Sequence, residues 1–118
     1  MRLDEVVREL SLEVVACIEG AGAEVTGAYV SDLLSRAMAA LRPGNIWVTV
    51  QAHPNVAAVG VLANVAGVVI AEGVRPEPAT IERAQQEGLP LLSTPQTAFA
   101  VCAALARLGV GQPPRPRG

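Results

Sequence analysis

Apolar and polar positions alternate in two rhythms along the chain. Leu3, Val6, Val7 and Leu10 recur at helical spacing, with Asp4 and Glu5 near the helix start, where they oppose the positive end of the dipole. A β-rich run follows from Leu12 to Ile18, Gly20 and Gly22 mark a turn, and Glu24 to Val30 reads as a second short strand. Ser31 then stands as N-cap of a helix over Asp32 to Leu41. Its residues Leu33, Leu34, Ala37, Met38 and Leu41 share one face, and Pro43-Gly44 stops it.

From this point the pattern repeats. Ile46 to Val50, Gly67 to Ala71 and Leu89 to Leu92 are short apolar strands, starting 21 and 22 positions apart. The spacing predicts a helix from Pro54 to about Val65 between the first two and one from Pro78 to Glu87 before the third, closed by Gly88. Thr94 is expected to cap a last helix that starts at Pro95 and ends at Gly109. Continuously apolar strands alternating with helices imply a parallel sheet covered on both faces. The fold expected is therefore α/β, a three-layer α/β/α arrangement with a largely parallel sheet. The helix after Pro54 is almost wholly apolar and should be buried on most sides, whereas Glu82, Arg83, Gln85, Gln86 and Glu87 give the next helix a solvated face.

Composition narrows what such a domain does. At 118 residues, 51% of them hydrophobic, the chain suits one domain over residues 1–110, followed by a Pro/Arg-rich tail, 111–118, expected to be disordered. All nine cations are arginine, which removes a P-loop lysine and any Schiff-base cofactor. His53 is the one histidine, so zinc sites that need two are excluded. Three scattered aromatics and a net charge of −2 argue against nucleic acid as a partner. Cys17 and Cys102, far apart and each in an apolar stretch, read as buried free thiols. The charged start of the chain is unlike a signal peptide, and the longest apolar run, Val56 to Ile70, is broken by Gly60, Asn64 and Gly67. A cytoplasmic protein without a membrane span, metal or cofactor is expected.

Open parallel sheets bind ligands beyond the carboxyl ends of their strands. Here those ends run into Gln51, His53 and Asn55, into Glu72, Gly73 and Arg75, and into Ser93 and Thr94. If the three strands are adjacent, these residues form one polar rim, a candidate site for a small anionic ligand. His53 and Asn55 stand where a strand hands over to a helix start, a place that favours an anion; the plainer alternative is that they cap the turn. Arg75 either pairs with Glu72 or Glu77 or is the rim's free cation. A Ser93-His53-Glu72 triad is the only nucleophilic arrangement available and a poor one, so no catalytic residue is assigned. Tyr29, Asp32 and Leu33 form a candidate self-association surface; alternatively Tyr29 packs inward and Asp32 serves the helix dipole.

The run Gly73-x-Arg75-Pro76, then Ala84, Gly88, Pro90, Leu92, Thr94, Thr97 and Phe99, resembles the second half of the DRTGG domain. GAYVSDLLSRAMA and TVQAHPN resemble a short stand-alone branch of it. The resemblance implies an α/β module like the N-terminal domain of HPr kinase/phosphorylase, regulatory or assembling in role, with chemistry left to other domains. A non-catalytic module, self-associating as a homodimer, is the function expected; the alternative is an anion or nucleotide sensor at the rim around His53. The family's Asp-Arg pair would fall near His53-Pro54 and its Thr-Gly-Gly at Ala71-Glu72-Gly73, where Gly73 alone is retained.

Overall fold

The computed structural model describes residues 1–111; the expected disorder of the tail lies outside the described residues, apart from Gly111. Among them five strands form one sheet in the order β1-β5-β4-β3-β2. β2 (Gly27–Val30), β3 (Asn45–Thr49), β4 (Gly67–Ile70) and β5 (Leu91–Ser93) run parallel. β1 (Glu13–Ala16) closes the far edge antiparallel to β5, with a bulge between Val14 and Ala16. The largely parallel expectation therefore holds, with one antiparallel edge that periodicity does not reveal.

Alternation along each strand divides the core in two. Ile46, Val48, Val69, Ala71 and Leu92 face α1 (Leu3–Leu10) and α5 (Ala98–Arg107). Trp47, Val68, Ile70 and Leu91 face α2 (Leu34–Ala40), α3 (Asn55–Ala63) and α4 (Pro78–Glu87). These are the three expected layers. The central strands are buried on both faces, which is why they read as unbroken apolar runs rather than as alternating ones.

Several boundaries differ from the sequence pattern, each for a local reason. Residues after Ala16 leave the sheet through a 3-10 turn, Ile18–Gly22, entered by Cys17 in the left-handed region. Ser31 is not the N-cap of α2: its hydroxyl accepts the Leu33 N–H at 3.1 Å, and Asp32 is bonded to β3, so the helix cannot begin before Leu34. Thr94 does not cap α5 either. Its hydroxyl accepts the Gln96 N–H at 3.2 Å, making Pro95-Gln96 a turn, and Thr97 takes the cap by accepting the Ala100 N–H at 3.1 Å. Finally, α3 is buried at Val56, Ala57, Val59 and Gly60, in line with its apolar sequence, while Leu62 on its outer side is 71% exposed.

Candidate functional site

Parallel β2, β3, β4 and β5 end on the same side of the sheet, so four loops, not three, share the rim. The fourth is the Ser31–Leu33 turn after β2. Asp32, expected at an interface, is thereby a rim residue. Its Oδ1 accepts the Thr49 hydroxyl at 3.1 Å and the Val50 N–H at 2.9 Å, while its backbone oxygen accepts from Gln51 Nε2 at 2.9 Å. The turn is pinned again by the buried Trp47, whose indole N–H donates to the Ser31 oxygen at 2.9 Å. Tyr29 packs against the α2–α4 side of the core, and Leu33 is 60% exposed.

The β3–α3 loop is held from both sides. Asp32 holds Gln51, and the Ala52 oxygen accepts the Thr80 hydroxyl at 2.6 Å and the Glu77 N–H at 3.1 Å. His53 Nδ1 accepts the N–H of Asn55, the first residue of α3, at 3.0 Å. The His53 and Pro54 oxygens take the next N–H groups of that helix. The capping alternative for His53 is thus realised. A neutral His53 then carries its proton on Nε2, and that nitrogen and the Asn55 side chain have no protein partner among the described residues.

The β4–α4 and β5–α5 loops are stitched together. Glu72 and Gly73 both have positive φ, 64° and 72°. That turn points the Glu72 N–H at the Gln96 oxygen, 2.7 Å away, and the Gly73 N–H at the Thr94 oxygen, 3.0 Å away. Glu72 Oε2 accepts the N–H of Ala98, the first residue of α5, at 3.1 Å. A carboxylate at a helix N-terminus satisfies the dipole there, and it occupies the place where an external anion would sit. Arg75 pairs with neither Glu72 nor Glu77; it is exposed and makes no hydrogen bond or ion pair with a described residue. Thr94 is buried, and Ser93 is half-buried on the side of the sheet that Leu91 faces.

The rim is thus a set of exposed groups without a partner among the described residues (His53 Nε2, Asn55, Arg75) on a base of polar groups already satisfied by the fold. Among the described residues no three His, Cys, Asp or Glu side chains stand close enough to hold a metal ion, and no helix is long and apolar enough to cross a membrane. Three contributors escape the sequence reading. Thr80 is fully buried, and its spacing of four from the buried Ala84 is the one sign of that in the sequence. Gln96 reaches back to the Leu10 oxygen at 3.0 Å, a contact that only the tertiary fold makes. Phe99 is 83% exposed beside the rim, although its aromatic character points inward.

The family model for the DRTGG domain matches residues 5–108. The chain belongs to the DRTGG domain family. No curated protein matches it. Among solved structures, the DRTGG fold recurs in the CBS and DRTGG domains of the regulatory region of Clostridium perfringens pyrophosphatase, complexed with its activator diadenosine tetraphosphate. The TM-score is 0.74 at 19% identity over 88% of this chain. This DRTGG chain spans 45% of that chain, under half its length.

Proposed function

We propose that this chain is a non-catalytic regulatory or assembly module of the DRTGG type, similar in role to the N-terminal domain of HPr kinase/phosphorylase. It acts in the cytoplasm as a homodimer and reads a small anionic ligand at the strand-end rim. One observation carries the non-catalytic part. The two side chains best suited to acid–base chemistry, His53 and Glu72, each accept the first N–H of a helix, at 3.0 and 3.1 Å. A base committed to a cap is not poised against a nucleophile, and among the described residues no hydroxyl or thiol is bonded to either.

The ligand part rests on Arg75, an exposed cation without a carboxylate partner among the described residues, and on the outward Nε2 of His53. Diadenosine tetraphosphate, with ATP and inorganic phosphate beside it, is the first probe, because the pyrophosphatase region of like fold is complexed with it. At 100 times Kd, binding stabilises the folded state by about 2.7 kcal/mol, a rise of several degrees in Tm at this size. The rise should vanish in Arg75→Ala and shrink in His53→Ala. No shift with any of the three at millimolar concentration removes the ligand from the proposal. Sedimentation at tens of micromolar tests the dimer.

A further inference from the structure

The parallel strands do not all send the chain to the same face of the sheet. β2, β3 and β4 are each followed by a helix on one face, where Ala37, Val56 and Ala84 share a core cluster. β5 is followed by α5 on the opposite face, where Val101 and Leu105 pack with Leu3 and Val6 of α1. Among the described parallel strands, only the neighbours β4 and β5 are so divided. The carboxyl end of such a divided pair is the switch point at which open α/β sheets take their ligands. Here the two loops are tied edge to edge, Glu72 N–H to the Gln96 oxygen at 2.7 Å and Gly73 N–H to the Thr94 oxygen at 3.0 Å. Above the tie there is room, since an added Cβ on Gly73 would meet nothing within 4 Å. Arg75 is exposed on the β4–α4 loop, and Phe99, 83% exposed, stands on the first turn of α5.

We propose that this switch point takes a nucleotide, its base laid on the Phe99 ring and its phosphates running over Arg75 towards His53. This rests on the ligand reading above; it names the class of anion and the residue that selects it. The order of the groups follows from the ties between the loops. Glu72 Oε2 is 3.1 Å from the N–H of Ala98, the neighbour of Phe99, and Arg75 is three residues further on. The Glu77 N–H reaches the oxygen of Ala52, the neighbour of His53, at 3.1 Å. Phe99, Glu72, Arg75 and His53 therefore come in that order along the rim, with the Cα atoms of Glu72 and Arg75 at most about 11 Å apart. Charge decides which end holds which part of the ligand. The Glu72 carboxylate, held at the start of α5, repels phosphate there, while Arg75 and the Nε2–H of His53 attract it at the other end. The part of the ligand beside Phe99 is thus uncharged. A flat group laid on an aromatic ring gains from stacking, and every nucleobase has such a face. A bare phosphate or polyphosphate leaves Phe99 without a use.

The test is isothermal titration of the full chain with ATP and with tripolyphosphate, which share a triphosphate and differ in the nucleoside. The wild type should bind ATP roughly tenfold more tightly or better. Phe99→Ala should cancel that margin, weakening ATP and leaving tripolyphosphate unchanged, while Phe99→Trp keeps it. Arg75→Ala should weaken both ligands. Phe99 is the one phenylalanine of the chain, so its ring protons can be followed by NMR; ATP should shift them and tripolyphosphate should not. Because its side chain is mostly in water, unliganded Phe99→Ala should keep the wild-type Tm, which separates a lost contact from a lost fold. Equal affinity for the two ligands, or ATP binding untouched by Phe99→Ala, overturns the nucleotide and leaves the anion reading standing. Binding of neither removes both. If Phe99→Ala spares ATP but alters sedimentation, Phe99 belongs to a protein contact and the proposal falls.

Discussion

Glu72 spans two loops: its backbone turns through φ 64° at the end of β4, and its carboxylate accepts the Ala98 N–H at the start of α5, 3.1 Å away. Two opposing terms meet in this residue. The left-handed backbone costs a non-glycine residue about 1–2 kcal/mol, and the cap returns about 0.5–2 kcal/mol. Glu72→Ala removes the cap and keeps the strain, so it should lower stability by about 1 kcal/mol. Glu72→Gly removes both and should lie closer to the wild type. Urea unfolding of the three proteins decides; a glycine variant less stable than the alanine variant would show that the strain term is misassigned.

Asp32 is the corresponding tie at the other end of the rim. It accepts from Val50 N–H and from the hydroxyl of Thr49, a residue with no exposure. In Asp32→Ala both donors lose their acceptor, and leaving a buried polar group unsatisfied costs about 1–3 kcal/mol. Thr49→Val removes one of the stranded donors. The double variant should therefore be more stable than the two single losses added together. Additive losses in a double-mutant cycle would mean that the Thr49–Asp32 bond contributes little.

How far the sequence reveals this molecule depends on the range of the forces involved. Strands β3 and β4 are legible because burial on both faces makes them continuous apolar runs, and α4 because Pro78 and Gly88 punctuate it. The starts of α2 and α5 are not. Ser31 and Thr94 are good N-cap residues, but Asp32 and Gln96 carry bonds to β3 and to Leu10 that hold the turns open for two and three more residues. Of the rim, the positions of His53, Glu72 and Arg75 follow from strand ends alone. That Glu72 caps α5, 26 residues on, and that Asp32 joins the rim both require the strand order, which no local pattern encodes.

Gly44 and Gly73 separate two reasons for glycine. Both have positive φ, 82° and 72°. Around Gly73 nothing lies within 4 Å of an added Cβ, so Gly73→Ala should cost only the backbone term, about 1 kcal/mol. At Gly44 an added Cβ would stand 2.6 Å from the Thr26 methyl and 2.8 Å from its hydroxyl, which donates to the Pro43 oxygen. Gly44→Ala should cost clearly more than Gly73→Ala. Adding Thr26→Ala should recover part of that loss while leaving Gly73→Ala unaffected. Equal losses at the two glycines in chemical denaturation would rule out the steric account.

Cys102, half-buried on α5 against the α1 side of the core, has its thiol pushed above the ordinary value of 9.0 by burial, which penalises the thiolate. At neutral pH it should therefore alkylate more slowly than a free thiol, since only the thiolate attacks. Followed residue by residue by mass spectrometry, the iodoacetamide rate at Cys102 should keep rising beyond the pH where a model thiol levels off. The linkage has a definite sign. A folded-state pKa raised above the unfolded one gives stability that is complete below the unfolded value and lost as pH climbs through the folded value. Unfolding midpoints should accordingly fall in the alkaline range, and Cys102→Ala should flatten that part of the profile. A rate at Cys102 that levels off below the model thiol would mean that a nearby positive charge, not burial, sets its acidity.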